Sequence, residues 1–251
     1  QHGNKSEPSE PSTIALNTSD TEEPGAVTPP VVSLPEADDG FINKAEEAGL
    51  SVSVTPPANA KANDDITVTL VHATDSSKNI TIDTKVPADW VVGQALDVAI
   101  SGLEEDATYT LTATHTQDGT ESKPSGAIEF TVDITGPGID PTNPDNNQAP
   151  VLTIDEASNN VNVDEASDGV AVSIAVPAGT QQGDVITLTL TQPGGASVEI
   201  KHTIADDWNG SDAIVMTIPV NDISSDGLFN DGDYDVSAII TDAAGNHSIK
   251  G

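Results

Sequence analysis

Oxygen-bearing side chains beside turn residues are what this sequence offers for chemistry. Four places gather them: Asp38-Asp39-Gly40-Phe41-Ile42-Asn43 with Glu46; Asp140 and Asp145-Asn146-Asn147, followed by Asp155-Glu156 and Asp164-Glu165; Asp226 to Asp233; and Asp242-Ala243-Ala244-Gly245-Asn246. Carboxylates, amides and carbonyls converging at a turn suit a hard divalent cation, and Ca2+ takes roughly six to eight such oxygens. The candidate metal ligands are therefore Asp38, Asp39, Asn43 and Glu46; Asp140, Asp145, Asn147, Glu156 and Asp164; Asp231 and Asp233; and Asp242. No run has the D-x-[DN]-x-[DN]-G spacing of an EF-hand loop, so the signal lies in composition and position. At each cluster a solvated Asp/Gly turn competes with the ligand reading.

Other chemistry finds little purchase. There is no Cys nucleophile, no G-x-S-x-G elbow and no H-E-x-x-H pair. The five histidines (His2, His72, His115, His202 and His247) are scattered and read as surface or strand-face residues. Gly194-Gly195 reads as a hairpin turn rather than a phosphate cradle. Carboxylate pairs abound, but 41 acidic residues make chance pairs unavoidable. No catalytic residues are expected, and the chain reads as a non-enzyme.

Charge narrows the partners. The net charge is −33, all eight basic residues are lysines, and no basic stripe can be drawn for nucleic acid or an anionic membrane surface. No apolar run approaches the roughly 20 residues that span a bilayer. Such a chain repels itself unless cations neutralise it, and a monomer is expected. It opens on Gln1 without Met and carries no signal-like stretch, so a segment of a longer protein is expected.

The elements that must position the acidic clusters are strands. Leu50–Val54, Ile66–Leu70, Ile80–Ile82, Leu96–Ile100, Tyr109–Ala113 and Ile128–Val132 alternate or nearly alternate apolar with polar residues, with Gly, Pro, Asn and Asp between them. Period-two runs divided by closely spaced turn signals indicate a β-sandwich. A helical period is confined to Phe41–Ala48. Residues 1–37 hold Pro8, Pro11, Pro24, Pro29, Pro30 and Pro35 among Ser, Thr and Glu, and read as a disordered or extended linker. Val27–Leu34 could follow a sheet edge, but its prolines argue against a central strand.

The pattern then repeats. Asp65–Leu70 matches Val185–Leu190, Val52-Ser53-Val54 matches Val172-Ser173-Ile174, Trp90 matches Trp208, and Tyr109 in DATYTLTA matches Tyr234 in DGDYDVSA. The offsets run from 118 for the tryptophans to 125 for the tyrosines, as in two homologous domains with small loop differences. Repeated Trp and Tyr at equivalent places are expected to anchor cores. The fold predicted is all-β: two tandem Ig-like (Greek-key) sandwiches at 38–135 and 150–251, joined by a Pro/Asn/Asp-rich linker at 136–149. The second is expected to lack its last strand, because nothing after Tyr234 matches Gly126–Asp133. An open edge of that kind favours pairing with another chain.

Asp39-Gly40-Phe41-Ile42-Asn43-Lys44-Ala45-Glu46 resembles the DG-x-IN-x-AE opening of bacterial Ig-like repeats, which build the extenders of large RTX-type and biofilm-associated adhesins. Tyr234 with Thr241-Asp242-Ala243-Ala244-Gly245-Asn246 resembles their closing hairpin. Gly102–Ser122 is also similar to fibronectin type III modules, and Asp145–Leu152 distantly to the calcium-binding linkers of cadherins. The resemblance covers roughly 38–251. It implies modules strung end to end, Ca2+ at the junctions, partners in neighbouring modules of the same chain, and a distal domain binding host or matrix glycan or protein at a Gram-negative cell surface. By position, Asp38, Asp39, Asn43 and Glu46 would serve one junction, Asp145, Asn147, Glu156 and Asp164 the next, with Asp242 near the distal end. Gln117-Asp118-Gly119 departs from the closing motif, which puts a metal at that turn in doubt. A glycan- or host-protein-binding module, or an accessory pair on a secreted polysaccharide hydrolase, are the competing readings; 3% aromatic content weighs against a stacking platform.

Overall fold

Alternating Val, Ile and Thr become strands in a computed structural model of the chain, which describes residues 26–140, 142–154, 169–192, 194–219 and 233–251. The first sandwich packs a sheet of β1 (Val31–Ser33), β3 (Ser51–Thr55) and β6 (Leu96–Ala99) against a larger one. The larger sheet runs β2 (Phe41–Ile42), β9 (Ile128–Val132), β7 (Thr108–Gln117), β4 (Asp65–His72) and β5 (Ile80–Lys85), with β8 (Thr120–Glu121) hooked onto β7. All its pairings are antiparallel except β2 with β9.

The second sandwich repeats this plan. β10 (Val151–Thr153), β11 (Val170–Ala175) and β14 (Ile214–Ile218) form one sheet; β13 (Ser197–Thr203), β12 (Val185–Thr191) and β15 (Asp235–Thr241) form the other. Gly195, in the left-handed region at φ +87°, turns β12 into β13 as the Gly-Gly pair predicts. Residues 247–251 lie beside β15, where Gly251 pairs with Ala238 as Ser125 does with Ala113. Among the described residues β9 has no counterpart in the second sandwich.

Two separate cores follow from the alternation. Val52, Val54, Ile66, Val68, Leu70, Leu111, Phe130 and Val132 fill the first; Val172, Ile174, Ile186, Leu188, Ile204 and Ile240 fill the second. Trp90 and Trp208 are half-buried against their own cores, and their indole N–H groups donate to the carbonyls of Gln94 (2.7 Å) and Asp212 (2.8 Å). Tyr109 lies wholly inside, between His72 and Phe130, and its hydroxyl accepts the amide of Glu104 at 3.3 Å, the corner expected of this strand.

The N-terminal segment departs from the linker reading. Residues 31–33 are β1, an edge strand antiparallel to β3; Leu34 and Ala37 belong to the first core, and Val27 is buried as well. Pro29, Pro30 and Pro35 flank these three ladder positions without occupying one, and an edge strand tolerates proline where a central one does not. Residues 1–25 of the expected linker lie outside the described residues.

Because the cores are separate, Ile186→Ala, at a fully buried site, is expected to cost about 2–5 kcal/mol in the second sandwich alone. Calorimetry checks this: one melting transition should fall while that of the first sandwich stays in place.

Candidate functional site

The site is the joint between the sandwiches, and the hairpin after β15 builds it. Asp242 Oδ1 accepts the Asn246 amide at 2.8 Å, and Asp242 Oδ2 accepts Asn246 Nδ2 at 3.1 Å, which aims the asparagine toward the first sandwich. There Asn246 Nδ2 donates to the Asp133 carbonyl (2.8 Å) and to Asp133 Oδ1 (3.3 Å), while Asn246 Oδ1 accepts the amide of Lys44 (2.9 Å). Asn43 Nδ2 adds a bond to the Ala244 carbonyl at 3.1 Å. Asn246 is 7% exposed. A two-headed amide inserted between modules fixes direction as well as distance, because its donor and acceptor both have to be met.

The connecting Gly136-Pro137-Gly138 is buried rather than looped into solvent. Gly138 donates to the Ala178 carbonyl of the second sandwich at 2.7 Å and accepts from Gln148 at 2.7 Å. A Cβ on Gly136 would meet the His247 carbonyl oxygen at 2.5 Å, and one on Gly138 (φ +74°) the Gln148 carbonyl oxygen at 2.2 Å. Both positions require glycine, for lack of room and, at 138, for backbone conformation as well.

The predicted ligands divide sharply. Asn43 caps helix α1 (Lys44–Glu47): its Oδ1 accepts from Ala45 and Glu46, and Glu46 Oε2 accepts the Asn43 amide. This reciprocal capping box gives both side chains a local role. Asp38 ends a short 3-10 turn, and Asp39 accepts the Phe41 amide at 2.9 Å; both are exposed. Asp140 accepts from Thr142, Asn143 and Asn146 within its own loop, and the Thr142 hydroxyl foremost among these donors holds its carboxyl down at about 2. Asn147 accepts the Asp140 amide. Asp145 lines, with Asp140, Asn147 and Ala178, an open pocket of about 540 Å³. Asp233 is exposed, and Glu156, Asp164 and Asp231 lie outside the described residues. Of the set, only Asn43 and Asp242 meet at the interlock.

Two carboxylates there were not among the predicted ligands. Asp133 is held above the usual carboxylate range, by burial first and then by the charge of Asp242. Asp184, 3% exposed, is also pushed up by burial, with Asp242 and Asp133 adding repulsion against the help of its bond from the Gln181 amide (2.8 Å). The signal for Asp184 lay in the repeat. Its counterpart Asp64 accepts from the Lys61 amide, His115 Nε2 and Gln117 Nε2. At the offset of 125 that relates the tyrosines, His115 and Gln117 become Ile240 and Asp242. The second sandwich thus keeps the buried acid and replaces its two partners by an alkyl group and a second acid. Among the described residues no three Asp, Glu or His side chains are gathered closely enough to hold a metal ion outright.

No family model matches the sequence, and no curated protein matches it. Among solved structures the chain is similar to the crystal structure of the FN1–FN3 domains of chicken CNTN1, with 9% identity and a TM-score of 0.44 over 90% of this chain and 66% of that one. It is also similar to a two fibronectin type III domain segment of chicken tenascin, with 12% identity and a TM-score of 0.32 over 89% of this chain and 98% of that one. The chain spans just under two thirds of the first of these. The Ig-like assignment rests on the strand order and the two cores described above, not on these likenesses.

Asn246→Ala should leave the part-buried Lys44 amide and Asp133 carbonyl without this partner, at about 0.5–1.5 kcal/mol for each bond lost. Small-angle scattering should then show a wider spread of interdomain angles with both sandwiches still folded. The raised carboxylates give a pH dependence of defined sign. A group that binds its proton more tightly when folded weighs against the joint above its folded value, and that burden lifts as pH falls through it. In EDTA, Asp184→Asn is therefore expected to melt higher than the parent at neutral pH, with the gap closing on acidification. A lower melting temperature for the variant at neutral pH would count against the repulsion.

Proposed function

We propose that this chain is a non-catalytic extender: two modules from the extracellular arm of a bacterial surface adhesin, working as a monomer whose direct partners are the neighbouring Ig-like modules of the same chain. In this reading host or matrix glycan or protein is bound by distal domains, in support of cell adhesion or biofilm formation. The observation that carries the reading is the interlock. A spacer has to transmit direction from one module to the next, and Asn246, Asn43 and the buried Gly136-Pro137-Gly138 connection couple the two sandwiches in that way. The resemblance of 39–46 and 234–246 to adhesin repeats agrees with it, since both motifs meet at this joint.

Ca2+ is the cofactor proposed for the same joint. Asp133, Asp184 and Asp242 repel one another there, and an oxygen-seeking divalent cation would convert that repulsion into attraction. Asp242 belongs to the ligand set read from the sequence; Asp133 and Asp184 join it. The ion has to draw the carboxylates together, so binding and stiffening are one event.

The test is thermal unfolding and small-angle scattering in excess EDTA and then in millimolar Ca2+. At a free ion concentration of about 100 Kd the linked stabilisation is about 2.7 kcal/mol, so the melting temperature should rise by several degrees and the scattering should fit one elongated shape. Asp242→Asn should abolish both responses. Identical melting and scattering in EDTA and Ca2+ would overturn the calcium assignment.

A further inference from the structure

His115 ends the inward-facing series Tyr109, Leu111, Ala113 and His115 of β7, and it is 0% exposed. Both of its ring nitrogens face oxygen. Nε2 lies 2.9 Å from Asp64 Oδ2, and Nδ1 lies 3.3 Å from the carbonyl oxygen of Thr28. A carbonyl can only accept. Asp64 Oδ2 also accepts from the Lys61 amide (2.7 Å) and Gln117 Nε2 (2.8 Å), which marks it as an ionised acceptor rather than a protonated donor. Burial pushes Asp64 up, but the bonds from Lys61, His115 and Gln117 together hold it below its ordinary value.

A neutral imidazole carries one N–H and one lone pair, so in this site it would leave a nitrogen lone pair against an oxygen lone pair with no water between. A doubly protonated ring meets both acceptors. We propose that His115 is a buried imidazolium that latches the strap of residues 27–30 onto the first sandwich, so that loss of this one proton releases the strap and loosens β1 behind it.

The rest of the surroundings fit a latch. Thr28 brings to the ring only its carbonyl, and its neighbours Val27 and Pro30 are buried against the first sandwich. Pro29 and Pro30 have no amide to anchor that stretch, so the bond at Thr28 is a principal polar attachment ahead of β1. On β4 the residue opposite His115 is Ile66, and from the hairpin after β7 the Ser122 hydroxyl engages the His115 backbone amide. The charged groups facing the ring are Asp64 and, beyond it, Lys61 paired with Asp118. At this place the second sandwich has Ile240, which offers no ring nitrogen.

The direction is fixed by the chemistry: the protonated ring holds the strap, and raising the pH until the ring loses a proton frees it. Long-range 1H–15N spectra of the intact chain read the ring directly across roughly pH 5 to 8. The expected result is two protonated nitrogens on His115 wherever the strap is protected. Amide exchange of Val27, Thr28 and Val31–Ser33, corrected for its intrinsic pH dependence, should then quicken about tenfold or more in step with the loss of that proton. His115→Gln, which offers one donor, should show fast strap exchange that no longer changes with pH. A single protonated nitrogen on His115 while the strap is protected would overturn the proposal, as would strap exchange that ignores the ring's titration. The wild-type spectra decide the matter even if the variant does not fold.

Discussion

An acid buried at the entrance to a β-sandwich has to be compensated, and the two halves of this molecule solve that problem differently. Asp64 and Asp184 stand at the same turn ahead of the same strand, each accepting a backbone amide three residues upstream. In the first sandwich β7 supplies His115 and Gln117, so the charge is answered within the domain. In the second, β15 supplies Ile240 and the hairpin supplies Asp242, and the charge is left facing more charge.

The joint is built around the unanswered acid. Asp242 adds to the repulsion, yet it also orients Asn246, whose amide crosses to the Lys44 amide and the Asp133 carbonyl. Helix α1 is barely one turn long, but its capping residue Asn43 serves both the helix and the interlock. Directional hydrogen bonds couple the modules here, while the raised carboxylates beside them tie the same place to pH.

The strands were legible because period-two alternation is a local signal: Val52, Val54, Ile66, Val68 and Leu70 face inward as their spacing requires. The repeat was legible too, down to paired tryptophans making the same indole-to-carbonyl bond four residues ahead. The edge strand at Val31–Ser33 was harder, since three ladder residues between prolines look like linker until β3 is beside them. His115 looks like one of five scattered histidines, although extending the inward series from Tyr109 by the same period leads to it. Asp133 and Asp184 lay hidden because an acid-rich sequence gives every carboxylate the same prominence, and only packing singles out those that are buried or brought beside another acid.

The alternating strands and the repeat that pairs Trp90 with Trp208 were already set in the residues alone, because alternation and turn chemistry act between near neighbours. The acidity is set there too, since a net charge of −33 needs no fold to be read. Which carboxylates meet was decided only by the tertiary structure. Asp184 and Asp242 are brought together by the folding of the second sandwich, and Asp133 joins them only where the first sandwich meets it. The same holds for His115, Asp64 and Thr28: a proton shared among a strand, a loop and a strap has no local signature, since it answers to burial and to the geometry of acceptors far apart in the chain.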